Sequence, residues 1–122
     1  MKRILVVEDD ADLRAYITDV LRDLKYRVFS AADPKAALAL LRQDGRVDLL
    51  LTDIVMPGQN GRELAVAALA LRPNLRVIFM TGYSRNAVVH QGRLDDGVEL
   101  LQKPISQGDL ALRVREVLDR SR

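Results

Sequence analysis

Short apolar segments alternate with helical patterns along the chain, and this alternation constrains the fold more than any other feature. Four of the segments are rich in Val, Ile and Leu, and a weaker fifth lies between the first two. Their nearly continuous apolar character is typical of strands covered on both faces, as in a parallel sheet. The predicted strands are residues 4–7, 27–30, 47–52, 76–81 and 98–101.

The stretches between these strands carry apolar residues at three- and four-residue spacing, which predicts amphipathic helices. Asp33 and Pro34 open the second helix as an N-cap acid followed by a proline. Asp10 and Asp12 are expected to cap or begin the first helix. The predicted helices cover roughly residues 11–24, 33–45, 62–71 and 84–92, and a last one from 106 onward. Strand and helix repeated five times predict an α/β fold, a doubly wound parallel sheet with helices on both faces.

Composition limits the classes to which the protein can belong. The chain has 122 residues, of which 48% are hydrophobic and 30% charged, so we expect one globular domain over residues 1–122. It has no cysteine, and its basic residues are scattered at a net charge of +2, which disfavours direct nucleic-acid binding. No apolar run has the length of a signal peptide or a membrane span, so we expect a cytoplasmic location without membrane insertion.

Acidic residues follow two of the predicted strands. Glu8, Asp9 and Asp10 come after the first strand, and Asp53 comes after the third. Ligands in such sheets bind beyond the carboxyl ends of the strands, where these acids would converge. Carboxylates brought together repel one another, and a hard divalent cation with oxygen ligands relieves that repulsion. The sequence therefore predicts a Mg²⁺ site at this edge.

A lysine and a hydroxyl reach the same edge from the other strands. Lys103 follows the fifth strand and Thr81 ends the fourth, so the two could cradle an anion with several oxygens, such as a phosphoryl group. One carboxylate would then be the nucleophile. Asp53 is the best candidate because it follows the most apolar central strand, which would hold its side chain rigidly.

These residues occur in an order that resembles the receiver domains of response regulators and hybrid histidine kinases. The resemblance covers essentially the whole chain and implies a flavodoxin-like, five-stranded parallel sheet with strand order 2-1-3-4-5. Each motif alone is weak, but all of them in order at this spacing are specific. The segments that carry it are residues 4–10, 51–58, 60–64 and 80–82, and the pair Lys103 and Pro104.

The resemblance implies a two-component phosphoacceptor, and it assigns roles to the acids. Asp53 would take a phosphoryl group from a phosphohistidine on a histidine kinase or phosphotransfer domain. Asp9 would bind Mg²⁺ directly and Glu8 through water, while Asp53 and the backbone carbonyl of Val55 would complete the metal shell. The domain would catalyse its own phosphorylation and dephosphorylation rather than act as an enzyme on other substrates.

The resemblance also assigns the remaining residues of the site. Lys103 would pair with the phosphoryl oxygens, and Thr81 would rotate to hydrogen-bond the new phosphate. The peptide bond between Lys103 and Pro104 would be cis, which is plausible only before proline. Such a site works by placing the acceptor in line and neutralising the charge of the transferring group.

Two features depart from the family's pattern. Many receivers carry an aromatic residue three positions before the lysine, where this chain has Leu100. Our hypothesis is that Tyr83, two residues beyond Thr81, senses the phosphorylated state instead. Val55 and Tyr83 also flank the acceptor with bulky side chains, so water exclusion predicts slow spontaneous dephosphorylation.

Several alternatives remain open at this level. The chain could be a stand-alone receiver or the C-terminal receiver of a hybrid sensor histidine kinase, and Leu100 favours the hybrid kinase. It could be a degenerate receiver that acts only as an interaction module, although the expected acids are present. It could also be an aspartyl-nucleophile phosphatase, but such enzymes carry a second aspartate at the position where this chain has Val55. His90, the only histidine, is expected at the surface. We expect a monomer or weak dimer.

Overall fold

A five-stranded parallel sheet with helices on both faces forms the body of the protein. The computed structural model describes residues 1–43, 46–56, 59–82 and 99–120. The strands lie in the order β2-β1-β3-β4-β5, which confirms the predicted fold class and strand order. A separate antiparallel pair joins Val55–Met56 to Gln59–Asn60. The sheet strands are β1 (Arg3–Val7), β2 (Arg27–Ala31), β3 (Leu49–Asp53), β4 (Arg76–Thr81) and β5 (Glu99–Gln102).

The predicted strands are confirmed, with a shift at β3. We expected β3 to begin at Val47, but it begins at Leu49. The Asp48 carboxylate accepts a hydrogen bond from the Arg3 amide at 2.7 Å. The Asp48 side chain thus takes the place of a backbone carbonyl as the acceptor for the Arg3 amide, and the strand starts two residues later than expected. At its other end β3 extends to Asp53, which pairs with Met80 of β4.

Each of the four helices in the described ranges begins at a side chain that accepts a hydrogen bond from a backbone amide of the first turn. Asp10 accepts from Asp12 and Leu13, which confirms its predicted capping role. Asp33 accepts from the Ala36 amide at 2.8 Å, as the Asp-Pro pair predicted. Asn60 and Ser106 serve the last two helices in the same way. The helices are α1 (Ala11–Asp23), α2 (Pro34–Gln43), α3 (Gly61–Leu71) and α4 (Gln107–Asp119).

The apolar core lies on both faces of the sheet because side chains alternate along each strand. Ile4 and Val6 of β1 pack in the cluster that contains the buried faces of α1 and α4. Leu5 and Val7 point the other way, into the cluster with α2 and α3. Every residue of β3 is buried, as expected for the central strand. Both faces of β3 are therefore fixed by packing, and so is the position of its carboxyl end.

Some predicted features lie outside the described residues. These are the weakly patterned helix at 84–92 with His90, the sensor candidate Tyr83, the end of the second helix at 44–45, and Val98. Among the helices in the described ranges, none is both long enough and apolar enough to cross a membrane.

Candidate functional site

Three acids meet where the carboxyl ends of β1 and β3 lie side by side. Glu8 and Asp9 follow β1 directly, and Asp53 is the last residue of β3. One carboxylate oxygen from each of Glu8, Asp9 and Asp53 lies within 4.8 Å of the other two. Glu8 and Asp53 are buried and Asp9 is exposed. The fold therefore brings together the acids that the sequence placed at one edge.

Lys103 reaches the same cluster from the end of β5. Its Nζ donates to Glu8 Oε1 at 2.9 Å and to Asp53 Oδ2 at 3.1 Å. The Lys103 amide donates to the Thr81 carbonyl at 2.7 Å, which ties the lysine to the end of β4. The peptide bond from Lys103 to Pro104 is cis, as the resemblance implied. One ammonium group thus contacts carboxylates from two different strands.

Burial and pairing shift the pKa values of these groups. Burial raises the pKa of the Glu8 carboxyl, and hydrogen bonds from the Asp10 amide and from Lys103 offset this only in part. Burial lowers the pKa of Lys103, but its hydrogen bonds to Glu8 and Asp53 outweigh that effect and raise it above the ordinary value. Lys103 therefore stays protonated at neutral pH. With all three carboxylates ionised, the cluster carries two more negative charges than the single ammonium group offsets.

Two further contacts hold Glu8, one to its side chain and one to its backbone. The Asp10 amide donates to Glu8 Oε2 at 3.0 Å, so both carboxylate oxygens of Glu8 have a donor. Arg14, on the first turns of α1, donates from Nη1 to the Glu8 carbonyl at 2.7 Å. No local sequence pattern indicates this role for Arg14, because the contact depends on how α1 packs beside β1. Arg14 also adds a positive charge at the edge of the site.

The backbone around Asp53 is held as firmly. The Thr52 hydroxyl donates to the Asp53 carbonyl at 3.1 Å, and both residues are buried. The next amide, that of Ile54, donates to the Met80 carbonyl of β4 at 3.0 Å. The Ile54 carbonyl accepts from the Gly61 amide at 2.7 Å. These contacts fix the two peptide units that directly follow the Asp53 side chain.

The donor set suits Mg²⁺. This ion prefers oxygen ligands, and carboxylates supply them. One carboxylate oxygen from each of Glu8, Asp9 and Asp53 lies within 4.8 Å of the other two, so these side chains would hold a small divalent cation among them. The excess negative charge of the cluster matches the charge of a divalent cation. Val55, whose carbonyl the resemblance named as a further ligand, begins the short strand after Ile54.

Two further positions bear on the family's switching mechanism. Thr81 is buried at the end of β4, beside the Lys103 backbone. Leu100 of β5 is also buried, in a small apolar cluster with Ile54, Ala65 and Phe79. Ile54 directly follows Asp53, so this cluster touches the segment that carries the acceptor. An aliphatic side chain packs here at the position where many receivers have an aromatic residue.

Comparison with known proteins identifies the family. The sequence profile of the response regulator receiver domain matches residues 4–115. The chain belongs to the response regulator receiver domain family. Over 118 residues this receiver domain is 35% identical to the response regulator receiver protein CpdR of Brucella abortus, covering 97% of this chain and 98% of CpdR. It is 31% identical to the sensor kinase CckA of the same organism, covering 96% of this chain but 12% of that protein.

Solved structures of receiver domains have the same fold. The receiver domain of the hybrid histidine kinase CckA superimposes with a TM-score of 0.81 at 36% identity, over 96% of this chain and 99% of that one. The chemotaxis protein CheY4 of Vibrio cholerae gives a TM-score of 0.85 at 25% identity, over 96% and 98% of the two chains. The receiver family therefore includes relatives of this chain both as nearly the whole protein and as a small part of a kinase.

Proposed function

We propose that this receiver domain accepts a phosphoryl group on Asp53 from a phosphohistidine, as a step of two-component signalling. The observation that supports this most strongly is the meeting of Asp53 with Glu8 and Asp9, with Lys103 bonded to two of the three acids. Family membership supports the same role. The donor would be a histidine kinase or a phosphotransfer protein.

In the proposed transfer, an oxygen of the Asp53 carboxylate attacks phosphorus. The new P–O bond forms as the P–N bond of the phosphohistidine breaks, and the electron pair of that bond leaves with the imidazole nitrogen. Lys103, already beside Asp53 Oδ2, would move to the oxygens of the arriving phosphoryl group and offset their charge. The Thr81 hydroxyl would then hydrogen-bond the phosphate. In this sense the domain catalyses its own phosphorylation, and its dephosphorylation in turn.

The proposed cofactor is Mg²⁺, held by Asp9, Asp53 and the Val55 carbonyl, with Glu8 acting through water. The three carboxylates supply the oxygen donors and the negative charge that this ion requires. When bound, the ion supplies positive charge beside the transferring phosphoryl group. The residues of the chain fix the acceptor, hold the ammonium group next to it and keep the carboxylates close together.

A small phosphodonor tests the proposal without knowledge of the kinase. The protein is incubated with acetyl phosphate, with and without Mg²⁺, and weighed intact by mass spectrometry. We expect one added phosphoryl mass that requires Mg²⁺ and is lost in Asp53→Ala. Asp12→Ala is the matched control, because Asp12 is an exposed acid in the first turn of α1. Phosphorylation that persists in Asp53→Ala would contradict the proposal.

The two alternatives make different predictions in this experiment. A degenerate receiver would show no added mass with any small donor. A phosphatase with an aspartyl nucleophile would release inorganic phosphate in many turnovers, but such enzymes carry a second aspartate where this chain has Val55. The grouping of all the expected acids supports the phosphoacceptor over both.

The wider setting of the domain is also part of the proposal. We propose that residues 1–122 form a single domain, that it acts in the cytoplasm, and that it is a monomer or weak dimer with no direct contact to nucleic acid. Size-exclusion chromatography with light scattering tests the oligomeric state. The match covers 98% of CpdR but 12% of the sensor kinase CckA, so both a stand-alone receiver and the receiver of a hybrid kinase fit this chain.

A further inference from the structure

The α-carbon of Gly61, the first residue of α3, lies against the backbone of Asp53. A Cβ built on Gly61 would stand 1.9 Å from the Asp53 carbonyl oxygen and 2.9 Å from its carbonyl carbon. Real Cβ atoms essentially never come closer than 3.0 Å to another heavy atom. The atoms that block the space are backbone, not the flexible end of a side chain. Any larger residue at position 61 must therefore move Asp53 or α3 by about 1 Å.

The requirement at Gly61 is for space and not for an unusual backbone conformation. Its φ does not lie in the left-handed region that favours glycine. The start of α3 is already capped by the Asn60 side chain, which accepts from the Arg62 amide at 2.7 Å. The close approach to Asp53 is therefore the feature of the structure that excludes a side chain at position 61.

The same carbonyl is held from a second direction. The buried Thr52 hydroxyl donates to it at 3.1 Å. Beyond it, the Ile54 peptide is tied to β4 through Met80 and to α3 through the Gly61 amide. The Asp53 peptide thus lies between a hydroxyl group and a bare α-carbon. It cannot shift without breaking one of these contacts.

We propose that Gly61 and Thr52 are positioning residues for the phosphoacceptor, which fix the Asp53 peptide so that its carboxylate keeps its place beside Lys103. The inference rests on the proposed function of Asp53 and adds to it a pair of residues outside the three acids, Lys103 and Thr81. Reacting groups must be held within about 0.5 Å of the productive geometry. A displacement of about 1 Å can lower a rate about 100-fold.

The first test compares Gly61→Ala with Gly108→Ala. Gly108 lies in the first turn of α4 with no heavy atom within 4 Å of an added Cβ, so it is a matched control. Phosphorylation by acetyl phosphate with Mg²⁺ is followed by intact mass over a range of donor concentrations. For Gly61→Ala we expect the maximal rate to fall about 10- to 100-fold while the half-saturating donor concentration stays within about threefold. Gly108→Ala should keep the parent's values. A folded Gly61→Ala protein with the parent's maximal rate would overturn the proposal.

Thr52 supplies a second test that holds even if Gly61→Ala fails to fold. Thr52→Val removes the hydroxyl at nearly constant shape, whereas Thr52→Ser keeps it. We expect Thr52→Val to lower the maximal rate several-fold, Thr52→Ser to retain it, and the Ile54 amide resonance to shift in Thr52→Val alone. Equal rates in the two Thr52 variants would overturn the proposal. If the parent protein takes no phosphoryl group on Asp53, the proposed function fails. If the parent is phosphorylated and these variants are phosphorylated at the same rate, only the positioning role fails.

Discussion

Replacing Lys103 with methionine tests how the buried acids are stabilised when no metal is bound. The substitution keeps an unbranched side chain but removes the ammonium group that lies 2.9 Å from Glu8 and 3.1 Å from Asp53. The two carboxylate side chains are only 1% and 9% exposed, so water cannot replace the lost donor well. Breaking a buried ion pair by removing one partner costs about 3–5 kcal/mol.

We expect a value near the lower limit, because Glu8 can take up a proton more readily than an ordinary glutamate. Its pKa is already raised by burial, and protonation would relieve part of the repulsion from Asp53. A loss of about 3 kcal/mol in the free energy of unfolding corresponds to a fall in Tm of about 12 °C for a chain of this length. Mg²⁺ supplies positive charge beside the same carboxylates, so it should stabilise Lys103→Met more than it stabilises the parent.

The assay is urea and thermal unfolding followed by far-UV circular dichroism, first in EDTA and then with Mg²⁺. Lys35→Met is the matched control, because Lys35 is an exposed lysine on α2 and its loss should change stability by no more than about 0.5 kcal/mol. If Lys103→Met were as stable as Lys35→Met in EDTA, the ammonium group would not be what stabilises the buried acids, and the electrostatic reasoning would be wrong.

Three further predictions concern stability, lifetime and switching. Lys25 lies just after α1 with a φ of 74°, a backbone conformation that favours glycine. Lys25→Gly should therefore raise the free energy of unfolding by about 0.5–1 kcal/mol, whereas Lys25→Ala keeps the Cβ and should not raise it. Equal urea midpoints for the two variants would refute this. Val55→Asn should hasten decay of the acyl phosphate, measured by intact mass, by admitting water; an unchanged half-life would argue against water exclusion. Tyr83→Ala should abolish the phosphorylation-induced NMR shifts of distal residues, and their persistence would eliminate Tyr83 as the sensor.

The elements of the fold could be predicted because their signals are local. The apolar pattern of β1 and the Asp-Pro start of α2 depend on neighbours in sequence, and both are confirmed. The start of β3 was misjudged because Asp48 accepts from the Arg3 amide, a contact between residues 45 positions apart. The acids and the lysine of the candidate site could also be named, since residues that end parallel strands must meet at one edge.

What the sequence determined by itself is therefore which elements form and which side chains reach the carboxyl edge of the sheet. Only the tertiary structure decided how those side chains are held: Lys103 between Glu8 and Asp53, and the Asp53 peptide between Thr52 and Gly61. Periodicity and capping act within a few residues, so they can be read along the chain. Distances between atoms from separate elements depend on how the helices pack on the sheet, to within about 1 Å, and no local pattern records them.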